Sequence, residues 1–182
     1  NMKLHLTSVF CLLSFAPFAA DDITTARFPD ADSVTVDEIE KVKRLDAYVK
    51  ADAERLGYKK VCCHNDTYEP NFLATRNGDL YLIDWEYAGL NYAANDLACF
   101  FCRYMYTDED IERYLQAYFQ RELTADRFYI AYIAICGFYW MGWGLYKGSV
   151  GDDDGFFFLP AYRNFHRFID VALASYNLYS TQ

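Results

Sequence analysis

The stretch 61–96, VCCHNDTYEPNFLATRNGDLYLIDWEYAGLNYAAND, constrains what the rest of the chain can build. Asn77-Gly78 sits between two apolar-rich runs, 71–75 and 80–85. A two-residue type I′ turn needs positive φ at both central positions, which Asn-Gly adopts at little cost. The spacing therefore predicts two antiparallel strands joined at 77–78. That turn places Asn71 directly across from Asp84. Opposed side chains have Cβ atoms about 4.5–5.5 Å apart, so an amide oxygen and a carboxylate can share one metal ion. By strand alternation Glu86 shares the face of Asp84. A third acid, Asp66, lies shortly before Asn71, in a segment that Pro70 keeps from being regular helix.

The Asp66-x4-Asn71 spacing is that of a kinase catalytic loop, in which the Asp meets the attacking hydroxyl and the Asn holds Mg²⁺. Asp84 would be the second metal ligand. Each of the three taken alone is most often a cap or a turn residue; it is their convergence that points to phosphoryl transfer. His64 joins Asp66 as a candidate of the catalytic loop. Its place is that of a prop, or of a satisfied buried histidine, since Asp66 already stands where a base would.

The chain of 182 residues is 53% hydrophobic and 19% aromatic, enough for one domain with a real core. A net charge of −9 argues against a nucleic-acid partner. It suits a cationic small molecule, although solvated surface charge alone would look the same. Cys99-x-x-Cys102 lacks a second pair with zinc spacing and lies in an apolar helix, so these two of the six cysteines read as small core residues of a reducing, cytoplasmic compartment. The apolar run after Lys3 imitates a signal peptide, but Phe18 or Pro17 would stand where cleavage wants a small residue. Broken by Pro17, it is also too short for a membrane span.

Helix signals surround the hairpin. Thr35 with Glu38 forms a capping box, Val36, Ile39, Val42, Leu45, Val49 and Leu56 keep one apolar face, and Gly57 stops the helix. Asp96 begins a helix to about 106, Thr107 caps one over 108–121, Thr124 caps one over 125–146, and a last runs over 162–178. Trp140 and Trp143 share a helical face, with Tyr139 and Tyr146 nearby. Aromatic faces stabilise a desolvated quaternary ammonium by about 0.5–2 kcal/mol each; plain core packing is the alternative for the same residues. The acidic run 151–155 lacks the alternating ligands of a calcium loop and reads as a rim loop.

His64-Asn65-Asp66, Asn71, Ile83-Asp84-Trp85-Glu86-Tyr87-Ala88-Gly89 and Asp96-Leu97-Ala98 resemble the choline/ethanolamine kinase family, in particular its bacterial LicA-type branch. The wider kinase-like superfamily that holds the aminoglycoside phosphotransferases shares the first of these motifs. Lys3-Leu4-His5 and Phe15-Ala16-Pro17-Phe18 resemble family segments as well. The resemblance implies an α+β fold, the mainly helical C-terminal lobe of a protein-kinase-like enzyme, with residues 1–182 as one domain. It implies ATP and Mg²⁺ as cofactors and phosphoryl transfer to choline or a similar amino-alcohol or aminoglycoside. Asp66 would be the base, Asn71 and Asp84 the metal ligands, and Asp96 a structural support of the loop. Glu86, Tyr87, Trp140 and Trp143 would line the substrate pocket. Family members often carry Glu where this chain has Arg103, which either argues against choline as the acceptor or means that an ammonium would rely on other carboxylates. Neither a Gly-rich phosphate loop nor a Lys–Glu pair precedes His64, so the expectation is either a fragment of a longer kinase or a natural protein without the nucleotide lobe, with a non-catalytic cation-binding module as the rival reading.

Overall fold

The computed structural model describes residues 35–119, 127–149, 151 and 155–177. The motifs at 3–5 and 15–18, the Thr124 cap and the acidic residues 152–154 lie outside them. Helix α1 (Val36–Leu56) opens as its sequence predicts. The Thr35 hydroxyl accepts from the Glu38 N–H, and the Glu38 carboxylate accepts from the Thr35 N–H at 2.6 Å. Gly57 ends it at φ 70°. Its inner face buries Ile39, Val42, Leu45, Val49 and Ala53.

Four short strands follow: β1 (Val61–Cys63), β2 (Phe72–Ala74), β3 (Leu80–Leu82) and β4 (Gly89–Asn91). β1 pairs antiparallel with β4, and β2 with β3, as two separate ribbons. Single 3₁₀ turns at Glu69–Asn71 and Trp85–Tyr87 lie between them. Then come α2 (Ala93–Cys102), α3 (Asp108–Phe119), α4 (Arg127–Ser149) and α5 (Gly155–Asn177). Asp96 sits in the first turn of α2 rather than before it. That helix ends short of the predicted 106 because Asn164 of α5 collects its last carbonyls. The Asn164 amide donates to Cys102 O at 3.0 Å and to Tyr104 O at 2.8 Å, which satisfies groups that would otherwise be orphaned. α5 begins at Gly155, ahead of the predicted 162.

α4 is the central core helix. Its stretch Arg127–Gly148 is long and apolar enough to cross a membrane by composition, but 72% of its most apolar window is buried within the fold. It lies along α5 at close range. A Cβ on Gly137 would meet Ala161 O and Phe165 N at 2.9 Å, and one on Gly144 would meet Phe158 Cβ at 2.8 Å. An ionic clamp fastens the start of α4 to α1: Arg127 donates to Asp52 through Nε at 3.0 Å and Nη2 at 2.8 Å.

Candidate active site

The hairpin differs from the sequence expectation by one residue. Gly78 N–H donates to Thr75 O at 3.0 Å, Thr75 N–H donates to Asp79 O at 2.8 Å, and Gly78 alone in the loop takes positive φ, at 87°. This is a three-residue loop, a tight turn followed by a left-handed glycine. It needs one positive φ rather than two, so Asn77 stays in ordinary backbone space. The register becomes Phe72↔Leu82 and Ala74↔Leu80, and Ile83, not Asp84, faces Asn71, donating to its carbonyl at 2.9 Å. Asn71 and Asp84 are therefore not cross-strand partners. Asp84 instead takes a left-handed conformation, φ 64° and ψ 60°, which ends the strand. Residues 85–87 are a 3₁₀ turn, so strand alternation does not relate Glu86 to Asp84 either. Asp84 comes close to Asp66 all the same, near enough for its charge to raise the Asp66 pKa.

The loop around Asp66 is held by a carboxylate from α2. Asp96 accepts from the N–H of His64 at 2.8 Å and from that of Asn65 at 2.7 Å. Its carbonyl also accepts from the Thr67 hydroxyl. Asn65 holds a left-handed φ of 65° and centres an amide network. Its Nδ2 donates to Tyr87 O at 3.0 Å, while its Oδ1 accepts from Asn91 at 3.1 Å and from Asn95 at 3.0 Å. Asn91 and Asn95 carry no motif signal, and only the fold shows that β4 and α2 bring them to Asn65.

His64, 1% exposed, has both ring nitrogens committed. Nε2 lies 2.7 Å from Ile83 O, and Nδ1 accepts from Asp66 N–H at 3.3 Å. These partners fix a neutral tautomer whose Nε2 carries the proton. The Trp85 ring packs edge-on against it, centroids 4.7 Å apart. His64 thus spaces the hairpin from the loop, with no ring nitrogen left to exchange a proton with a substrate.

Asp66 is 7% exposed. Burial pushes its pKa up and the Asp84 charge adds to that, while the Arg103 charge and the Asn71 hydrogen bond oppose; the balance is a raised value. The Asn71 amide nitrogen donates to Asp66 O at 2.8 Å and to Asp66 Oδ2 at 3.2 Å. That assignment turns Asn71 Oδ1 away from Asp66, where it can meet a cation. Asp84 is solvent-exposed. An amide oxygen and a carboxylate suit Mg²⁺, which takes one or two protein oxygens and fills the rest with water and phosphate. No group of three His, Cys, Asp or Glu side chains placed to hold a metal occurs among the described residues.

The aromatic cluster beside Asp66 departs from what the sequence suggests. Arg103, the cap residue of α2, is 5% exposed and donates through Nη2 to Asp66 Oδ1 at 2.7 Å. Its guanidinium carbon lies 3.3 Å from the centre of the Trp140 ring and 4.2 Å from that of Tyr68. Trp140 is buried at 7% and touches Tyr139 edge-on. Trp143 is half-buried and packs with Tyr146, Lys147 standing 5.8 Å over its ring. The Tyr87 hydroxyl is pushed above its ordinary pKa by burial and by Glu86, with Asp66 and Asp84 contributing. Of the aromatic pair, then, Trp140 reaches Asp66 through Arg103, whereas the ring partners of Trp143 lie further along α4.

A model of the choline/ethanolamine kinase family matches residues 17–137. Human ethanolamine kinase 1 is 27% identical over 175 residues, an alignment covering 82% of this chain and 37% of that protein. The crystal structure of choline kinase LicA from Streptococcus pneumoniae superposes with a TM-score of 0.59 at 25% identity, covering 83% of this chain and 52% of LicA. A choline/ethanolamine kinase family protein from Mesorhizobium loti gives a TM-score of 0.62 at 22% identity, over 91% and 53% of the two chains, a likeness of fold. The mainly helical architecture with its small antiparallel ribbons is that of the C-terminal lobe of a protein-kinase-like fold. The chain spans 37% of the curated relative and about half of each of these solved ones.

Proposed function

The chain belongs to the choline/ethanolamine kinase family, and from that premise we propose that it forms the acceptor-side lobe of an enzyme that transfers the γ-phosphoryl of ATP to the hydroxyl of a small amino-alcohol. The observation that carries this reading is the Asp66–Asn71 pair, hydrogen-bonded on a loop that Asp96 staples by two backbone N–H groups. Asp66 orients the acceptor hydroxyl and takes its proton. Burial favours that role, because a carboxylate pushed up in pKa is a stronger base than a solvated one. Asn71 Oδ1 and Asp84 hold Mg²⁺, which when bound offsets the phosphate charge. His64 keeps the loop at a fixed distance from the hairpin that carries Asp84, and the Asn65 network keeps the loop from relaxing. The finer form that the sequence suggests, choline bound over Trp140 and Trp143, would require Arg103 to leave the Trp140 ring.

The test requires the nucleotide-binding lobe to be present. Asp66→Asn keeps the size of the side chain but cannot accept a proton, so kcat should fall by about 10²–10⁴-fold with little change in fold. Retention of more than about a tenth of the wild-type rate would mean that the base lies elsewhere.

A further inference from the structure

The Trp140 face and the Asp66 carboxylate are together what a substrate cation would seek, and both already hold one. The Arg103 guanidinium lies flat enough on Trp140 to bring Cζ within 3.3 Å of the ring centre, with Tyr68 at 4.2 Å and Asp66 Oδ1 at 2.7 Å. Guanidinium is planar, delocalised and weakly hydrated, which makes it a better match to an aromatic face than an ammonium. It is also tethered. A group held on the same chain competes at an effective concentration in the millimolar range or above, without the entropy cost that a free ligand bears.

We propose that Arg103 is the specificity-determining residue of this site: a resident cation that closes the Trp140 face to quaternary ammonium acceptors and leaves recognition to an exposed carboxylate. With Asp84 committed to the metal, the carboxylate left for this is Glu86, solvent-exposed and beside the Tyr87 hydroxyl. A carboxylate accepts from N–H donors, which a primary ammonium has and a trimethylammonium lacks. The acceptor class is therefore an alcohol bearing a primary ammonium. This deepens the phosphotransferase reading and rests on it for the word acceptor. The closure of the aromatic face is a binding property, however, and is measured without nucleotide or turnover.

The probe is tetramethylammonium, titrated into this chain by calorimetry. Arg103→Gln should bind it roughly 2- to 30-fold more tightly than wild type, the range expected for gaining a desolvated aromatic face. Arg103→Gln combined with Trp140→Leu should lose that gain, while the neutral 3,3-dimethylbutanol should not distinguish Arg103→Gln from the double variant. Equal affinity of wild type and Arg103→Gln, or no binding by either, overturns the proposal, as does a gain that survives Trp140→Leu. If Arg103→Gln fails to fold, the wild-type protein still decides. Its Arg103 Nε–H resonance, assigned with Arg103→Lys and displaced by the Trp140 ring, should not move under tetramethylammonium concentrations that saturate an open aromatic site. A saturable shift would show that the cation enters and that Arg103 does not close the site.

Discussion

Two aspartates in this chain, Asp96 and Asp46, meet different environments, and each makes a distinct prediction. Asp96 spends its two oxygens on the N–H groups of His64 and Asn65. Asp96→Asn would turn an amide N–H toward one of those donors and leave it unpaired, at a cost of about 1–3 kcal/mol. Thermal melts should show that loss, and the assembled enzyme should lose turnover with it, because the loop carrying Asp66 is no longer fixed. An unchanged melting temperature would remove Asp96 from its stapling role. Asp46, on the inner side of α1, is pushed up to about 6 by burial, with Lys50 and Lys60 opposing. Its carboxyl favours the protonated form in the folded chain. The stability it contributes is full below its unfolded pKa, near 4, and is lost as pH rises through about 6. Asp46→Asn should therefore melt above wild type at neutral pH, with the gap closing between pH 6 and pH 4. A gap that does not change over that window contradicts the assignment.

At the scale of elements, what the sequence makes legible is whatever depends on neighbours within one turn. The Thr35 capping box, the Gly57 stop and the Thr107 cap, whose hydroxyl accepts from Asp110 N–H at 3.1 Å, lie where local spacing predicts. The hairpin exists, and so does the family resemblance that its motifs carry. Its register was not legible, because Asn-Gly serves a two-residue and a three-residue loop equally well, and the choice rests on the Thr75–Asp79 hydrogen bonds. The end of α2 depends on Asn164, some sixty positions away, which no local pattern announces. Arg103 was visible as a departure from the family, but its seat on Trp140 requires α2 and α4 side by side. The α4–α5 contact makes its own prediction. Gly137→Ala gains up to about 1 kcal/mol of helix propensity, yet its methyl would meet backbone atoms of α5 at 2.9 Å that cannot rotate away. The net effect should be a loss of about 1–2 kcal/mol in denaturant unfolding, and a stabilised variant would mean that the two helices separate freely.

For the molecule as a whole, charge and exposed apolar surface point the same way. A net charge of −9 suits a cationic acceptor as readily as it opposes nucleic acid. On the hairpin and the turn after it, Leu73, Leu80, Tyr81, Ile83 and Trp85 are exposed, more apolar surface than a ribbon facing only water usually carries. The central claim is that a phosphorus–oxygen bond forms on an amino-alcohol next to Asp66. It is tested most directly by ³¹P NMR of the lobe assembled with its nucleotide-binding partner lobe, ATP, Mg²⁺ and ethanolamine. The account predicts a phosphomonoester resonance growing as the γ-phosphate signal of ATP declines, and none with Asp66→Asn. Release of inorganic phosphate alone, or ester formation at an undiminished rate by Asp66→Asn, would contradict it.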